Sequence, residues 1–294
     1  MLRMTASGVG PGQRLGNWRG EDYLSLMTFR LEDRSFIAIS GPEARDFLQG
    51  LVTNDVRQVG PTSLRYAALL TPQGKILFDF LIGESDGTLL LDAPAATREA
   101  LARRLTLYRL RAKVDVALRD DLAVVWQPGV AAAPSSVRDP RHPDLGFRAF
   151  LPLAETTTEQ GAEQFREVRL ACGVPEGHDF GQDRIFALDS DLDELSGIAF
   201  DKGCYVGQEL TARMKHRGTA RKRLLPIASS TGAPLPDPDV AVVADGRELG
   251  TLFSVYGRLG FALIRLDRLE EAGAAPLTAG NIAVHVERPD WLFT

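Results

Sequence analysis

The fold class predicted is α+β: ferredoxin-like split βαβ segments form the body, and a small C-terminal β-barrel follows. Three observations carry this. Residues 23–120 switch between strand and helix periodicity in the order β-α-β-β-β-α-β. Residues 121–218 form a second α+β segment. Residues 219–294 show strand patterns only, with a hairpin signal at Asp245-Gly246. Residues 1–22, with Gly8, Gly10, Gly12, Gly16 and Gly20, read as a flexible tail.

In order, residues 35–39 read as a strand, and Ser40-Gly41-Pro42-Glu43 as a capping box with Ser40 as N-cap. Ala44, Phe47, Leu48, Leu51 and Val52 then recur at helical spacing. Residues 64–70 form a strand, and Thr71-Pro72-Gln73-Gly74 suits a type I turn. The return strand, 75–82, puts Ile76, Phe78, Phe80 and Ile82 on one face and Leu77, Asp79 and Leu81 on the other. The Glu84-Ser85-Asp86-Gly87 turn leads to a strand over 88–91. Asp92 is expected to cap a helix with Pro94 in its first turn and Leu101, Leu105 and Tyr108 as its stripe. Val114, Val116 and Leu118 alternate as the closing strand.

The second segment has strands over 122–126 and 147–151, separated by an Ala-rich loop over 128–143. A helix over 159–172 stops at Gly173, with Pro175 two residues on. After an acidic loop and Lys202-Gly203-Cys204, a short helix is expected from Tyr205 to about Met214. Strands over 224–228, 240–244, 248–256, 259–265 and 282–287 make the barrel, with residues 232–238 as a loop inside it.

At 294 residues the chain buries about 75% of its unfolded surface, so no disulfide or metal is needed to hold it together. A net charge of −5 excludes a generally basic nucleic-acid-binding coat. Two cysteines suit a reducing compartment and fall short of the four thiolates that most iron–sulfur clusters take. No apolar run approaches the roughly 18 residues of a membrane span, and the first twenty residues lack a signal peptide's apolar core. The expectation is a soluble cytoplasmic protein with no membrane partner and no direct nucleic-acid partner.

Chemistry concentrates in Lys202-Gly203-Cys204-Tyr205-Val206-Gly207-Gln208-Glu209. A thiol just ahead of a helix and beside a lysine is favoured as thiolate, and two nearby glycines point to close backbone approach. The alternative is that Cys204 is a small buried hydrophobe and the glycines shape a turn. Asp79, between Leu77 and Leu81, is either a paired acid facing a pocket or an exposed edge residue. Six Lys/Arg (213, 215, 217, 221, 222 and 223) without an acid form either an anion site or a solvated surface run. No RNA-binding motif accompanies them. Asp189, Asp191, Asp193 and Glu194 fail as a calcium loop, because Glu194 stands where glycine is required. The histidines (142, 178, 216 and 285) lack zinc-type spacing, and Cys172 reads as core.

The Lys-Gly-Cys-Tyr-x-Gly-Gln-Glu run, with Ala212-Arg213 and Arg217-Gly218 after it, resembles the signature of the YgfZ family of folate-binding proteins. That family is related to the glycine-cleavage T-protein, an aminomethyltransferase. Residues 47–56 (Phe-Leu-Gln-Gly-Leu-Val-Thr-Asn-Asp-Val) and 72–79 (Pro-Gln-Gly-Lys-Ile-Leu-Phe-Asp) agree with it. The resemblance implies a folate-binding body around a central opening that receives tetrahydrofolate. It also implies support for iron–sulfur cluster assembly or repair in client enzymes, tRNA-modifying radical-SAM enzymes among them. Asp189 takes the place of a glutamate that holds the pterin ring in the T-protein. Phe78 stands where the T-protein has the first of two acids, and only Asp79 remains, which argues against aminomethyl transfer.

The expectation is therefore a tetrahydrofolate-binding accessory protein without classical turnover. Cys204 and Asp79 would be its reactive groups, and Asp189, Lys202, Gly203, Tyr205, Gln208, Glu209, Arg213 and Arg217 its folate contacts. Two alternatives stand beside it: a folate-dependent one-carbon transferase of the T-protein type, and a redox protein acting through Cys204 without folate.

Overall fold

Apolar alternation sets the strands, and the two faces of each strand decide which interior it joins. The computed structural model describes residues 27–129, 135–156, 159–218 and 221–293. β1 (Phe29–Arg30) comes first. β2 (Arg34–Ser40), α1 (Ala44–Gln49), β3 (Arg65–Leu70), β4 (Ile76–Ser85), β5 (Thr88–Pro94), α2 (Arg98–Arg109) and β6 (Asp115–Arg119) follow in the expected order. Strands β2 to β6 form an antiparallel sheet ordered β3-β4-β5-β2-β6. The helices cover one face, where Leu48, Leu101 and Leu105 bury Ile39, Phe80 and Leu91. A register shift at Leu69/Leu70 turns Ile76 to the other face, away from Phe78, Phe80 and Ile82, with which it was expected to align.

β7 (Leu122–Gln127), β8 (Val137–Arg138), β9 (Phe147–Pro152), β10 (Glu159–Gln160) and α3 (Ala162–Ala171) build the second body. Its sheet runs β10-β1-β7-β9-β8, so a strand from the start of the described chain is paired inside it. The two sheets stack through Phe36 and Phe150, whose rings meet edge-on at 4.6 Å. Gly83 permits this approach: a Cβ there would stand 2.5 Å from the Phe150 ring. After α4 (Gln208–Arg217), the strands β11 (Lys222–Ser229), β12 (Ala241–Ala244), β13 (Arg247–Tyr256), β14 (Leu259–Arg265), β15 (Leu277–Ala279) and β16 (Ile282–Val286) close a barrel. Leu225, Val242, Leu252 and Ile264 fill it. No helix among the described residues is long and apolar enough to cross a membrane.

Four local expectations are corrected. Ser40 ends β2 and caps nothing: Gly41 turns at φ +103 against Lys113, and α1 starts behind Glu43, whose carboxylate accepts the Lys113 amide at 3.1 Å. Asp92 lies inside β5 and is fully buried in ion pairs, so it caps no helix. The helix expected from Tyr205 begins at Gln208, because Gly207 takes a left-handed conformation. The strand-only reading of residues 219–294 misses α5 (Leu266–Ala272). The expected flexible tail, residues 1–22, lies outside the described residues.

Candidate functional site

Segments 47–56, 72–79 and 202–209, far apart in the chain, pack on one another. Lys202 is the clamp. Its ammonium donates to the carbonyl oxygens of Val52 at 2.5 Å and Asn54 at 2.7 Å, and Gln49 Nε2 donates to the Lys202 carbonyl at 3.3 Å. Thr53 Oγ1 and Asn54 Nδ2 extend the seam to the carbonyls of Gly197 (2.6 Å) and Ser196 (2.7 Å). Burial pulls the Lys202 ammonium down to about 8. Gly207 sits against the 71–74 turn, where a Cβ would stand 2.6 Å from the Thr71 carbonyl oxygen. Gly203 meets nothing within 4 Å, so its φ of +96 is what requires glycine, and the expected close approach holds for Gly207 alone.

On this anchored loop Tyr205 is buried, with its hydroxyl pushed up to about 12 by desolvation, and Cys204 is exposed. The reading of Cys204 as a buried hydrophobe is thereby excluded. The thiol does not stand at a helix start, since α4 begins only at Gln208. Nor is the Lys202 ammonium directed to it. Gln208 is partly exposed, Glu209 and Arg213 form an exposed ion pair at 2.7 Å along α4, and Arg217 is exposed at its end.

Asp79 is buried within the body. Tyr66 donates its hydroxyl proton to Oδ2 at 3.1 Å, and the Gly177 amide donates to Oδ1 at 2.9 Å. Burial first, and Glu176 second, raise it to about 6. Behind it lies a cluster that the sequence analysis missed: Arg34, Arg141, Arg148 and Arg169 interleaved with Asp92, Asp139, Glu176 and Asp179. The signal was present. Asp92 follows three leucines, and Arg148 stands between Phe147 and Ala149 within apolar strand runs.

Asp189 is buried as well and is raised to about 6 by desolvation, partly offset by Lys222 and Arg223. The charged groups acting on Asp79 are different ones, so the two acids lie in separate neighbourhoods. The basic run is partly consumed inside the protein. Lys215 pairs with Asp193 at 3.0 Å, and Arg223 Nε stands 3.3 Å from Asp191. A groove of about 530 Å³ lies on the barrel beside α5 and is lined by none of these residues.

A family model described as the CAF17 C-terminal beta-barrel domain matches residues 221–294. The mitochondrial iron-sulfur cluster assembly factor IBA57 of Homo sapiens is 31% identical over 304 residues, covering 90% of this chain and 84% of that protein. The mitochondrial IBA57 homolog of Pyricularia oryzae is 34% identical over 298 residues, covering 85% and 76% respectively. The crystal structure of the glycine cleavage system aminomethyltransferase T from Bartonella henselae aligns with a TM-score of 0.68, over 90% of this chain and 85% of that one. At 17% identity that likeness is one of fold, and it bears out the α+β body with its barrel. Two expectations change. These relatives are named as mitochondrial proteins, which overturns the cytoplasmic assignment. They are named for IBA57, so the narrower YgfZ label gives way to it.

Proposed function

The chain belongs to the family of the iron–sulfur cluster assembly factor IBA57, and from that premise we propose that it binds tetrahydrofolate and supports cluster assembly or repair in iron–sulfur client enzymes. The observation that carries the proposal is an exposed thiol, Cys204, on a loop held to the 47–56 segment by Lys202 and packed on the 71–74 turn at Gly207. A thiolate is a soft ligand for iron, and a cluster takes about four such ligands. The single exposed cysteine therefore offers one position on a cluster that a partner or client protein must otherwise hold. In this reading the cluster is cargo.

Folate would be held by Asp189, whose carboxylate would accept hydrogen bonds from the amino edge of the pterin. Lys202, Gly203 and Tyr205 then act by shaping the 202–209 loop; Gln208, Glu209, Arg213 and Arg217 offer polar contacts along α4. Asp79 has both carboxylate oxygens engaged by Tyr66 and Gly177, and Phe78 replaces a second acid. Both facts favour an accessory protein over an aminomethyltransferase.

The test is calorimetric titration with tetrahydrofolate, paired with cellular complementation. Folate at 100 times its dissociation constant stabilises the protein by about 2.7 kcal/mol, and Asp189→Ala weakens binding. Absence of heat and of a melting shift at millimolar folate would remove the folate half. Loss of iron–sulfur enzyme activities in a Cys204→Ser strain tests the other half separately.

A further inference from the structure

We propose that His142, Asp144 and Cys172 form a site for a divalent first-row transition metal ion of the zinc or ferrous type, independent of Cys204. One nitrogen, one carboxylate oxygen and one sulfur lie within 4.8 Å of one another, although the sequence shows no metal-ligand spacing. The fold makes the site by packing α3 against the 143–145 turn. Cys172 caps α3, with its amide donating to the Val168 carbonyl at 2.9 Å and its own carbonyl accepting the Trp291 indole N–H at 2.8 Å. His142 caps the turn, and buried Leu145 pins that turn by accepting the Trp126 indole N–H at 2.7 Å. Both ligand-bearing backbones are thus anchored from within. The donor atoms face a partly open surface: His142 and Cys172 are half-buried and Asp144 is exposed.

Mixed N, O and S donors select zinc-like ions over magnesium and calcium, which prefer oxygen alone. Three protein ligands leave a fourth position open to water or a transferred ligand. Binding has a defined cost. His142 Nδ1 accepts the Asp144 amide at 3.2 Å. A metal at Nδ1 displaces that bond; a metal at Nε2 forces the ring proton onto Nδ1 and breaks it too. Cys172 binds as thiolate and passes its proton to solvent.

The experiment titrates the full chain, freed of metal by a chelator, with Co²⁺ and then with competing Zn²⁺. A near-ultraviolet thiolate-to-cobalt absorption is expected, displaced by Zn²⁺ and unaffected by Mg²⁺. Cys172→Ala abolishes the band, Cys204→Ala retains it, and His142→Ala weakens affinity by at least about tenfold. Should Cys172→Ala fail to fold, His142→Ala at its half-exposed position decides. The proposal is overturned by absence of the band, by its loss in Cys204→Ala, by its persistence in Cys172→Ala, or by unchanged affinity in His142→Ala.

Discussion

Arg148 Nη1 lies 2.7 Å from Asp92 Oδ2, and both side chains are fully buried. Asp92 comes from β5 and Arg148 from β9, so the pair joins the two sheets. Arg34 takes the other Asp92 oxygen at 2.6 Å, and Arg148 Nε reaches Asp139 at 2.9 Å. The chain of charges continues through Arg141 to Glu176 and through Arg169 to Asp179. Desolvating so many charges offsets much of their mutual attraction. What the cluster supplies is a fixed orientation of the two sheets, since any sliding would strand a buried charge.

Arg148→Met should therefore destabilise by about 3–5 kcal/mol, the cost of leaving buried carboxylates short of a partner. Urea denaturation would show it as a lower midpoint. An unchanged midpoint would mean that the cluster does not hold the sheets together.

Asp79 gives a pH dependence of definite sign. Its folded value near 6 exceeds the unfolded 3.8, so the folded state binds more protons and stability falls as pH rises through that window. Asp189, also near 6, acts in the same direction. Asp139, held at about 2 by Arg141 and Arg148 against the cost of its burial, acts oppositely but only below pH 4. Asp79→Asn keeps an oxygen for the Gly177 amide. The variant should exceed the parent in stability at pH 7.5 by up to about 3 kcal/mol, with the gain vanishing near pH 4. Thermal melts across that range would reveal a parallel offset instead if Asp79 does not titrate.

How much of this was legible follows from where each signal resides. The β-α-β-β-β-α-β order and most barrel strands rest on local alternation, and the Asp245-Gly246 turn appears as read, with both residues at positive φ. The Ser40 capping box failed because Gly41 answers to the Lys113 backbone, a contact no local pattern encodes. The Arg/Asp cluster joins residues from Arg34 to Asp179, and although Asp92 and Arg148 stand in apolar runs, no local pattern says which charges meet. Cys204 and Lys202 were singled out from the local chemistry of their run, and Asp189 through motif resemblance. That Lys202 works as a clamp required seeing its two carbonyl partners.

The basic run divides into inner and outer residues. Arg223 Nε faces fully buried Asp191, whose carboxylate oxygens have no hydrogen-bond donor, and Nη1 donates to the Leu188 carbonyl. Arg223→Ala should lower stability by about 1–3 kcal/mol, because the Leu188 carbonyl loses its donor and buried Asp191 loses the charge that faces it. Arg217, Arg221 and Lys222 are exposed. If they grip a polyglutamate tail, their alanine variants should flatten the gain in affinity with tail length and weaken its salt dependence. Titration with mono- and polyglutamyl folates would then separate a structural arginine from two arginines and a lysine that bind. Equal affinity for both folates in the parent would leave the outer residues without that role.

The two thiols should differ in the same way. Burial pushes Cys172 up to about 12, with Asp144 and Asp139 adding to it, whereas Cys204 is exposed on its loop. Iodoacetamide at pH 7.5 should alkylate Cys204 well before Cys172 in the folded protein, as mass spectrometry of timed quenches would record. Cys204→Ser changes an exposed atom and should alter stability by no more than about 0.5 kcal/mol. It also replaces a soft ligand with a hard one, so support of iron–sulfur enzymes should be lost. Lys202→Met makes the opposite bargain: the thiol remains, but the carbonyls of Val52 and Asn54 lose their donor and the loop its anchor. That variant should melt earlier, by about 1–3 kcal/mol of stability, with Cys204 still freely alkylated. A Cys204→Ser protein that sustains those enzymes fully would show that the thiol takes no part in handling the cluster, whatever its exposure.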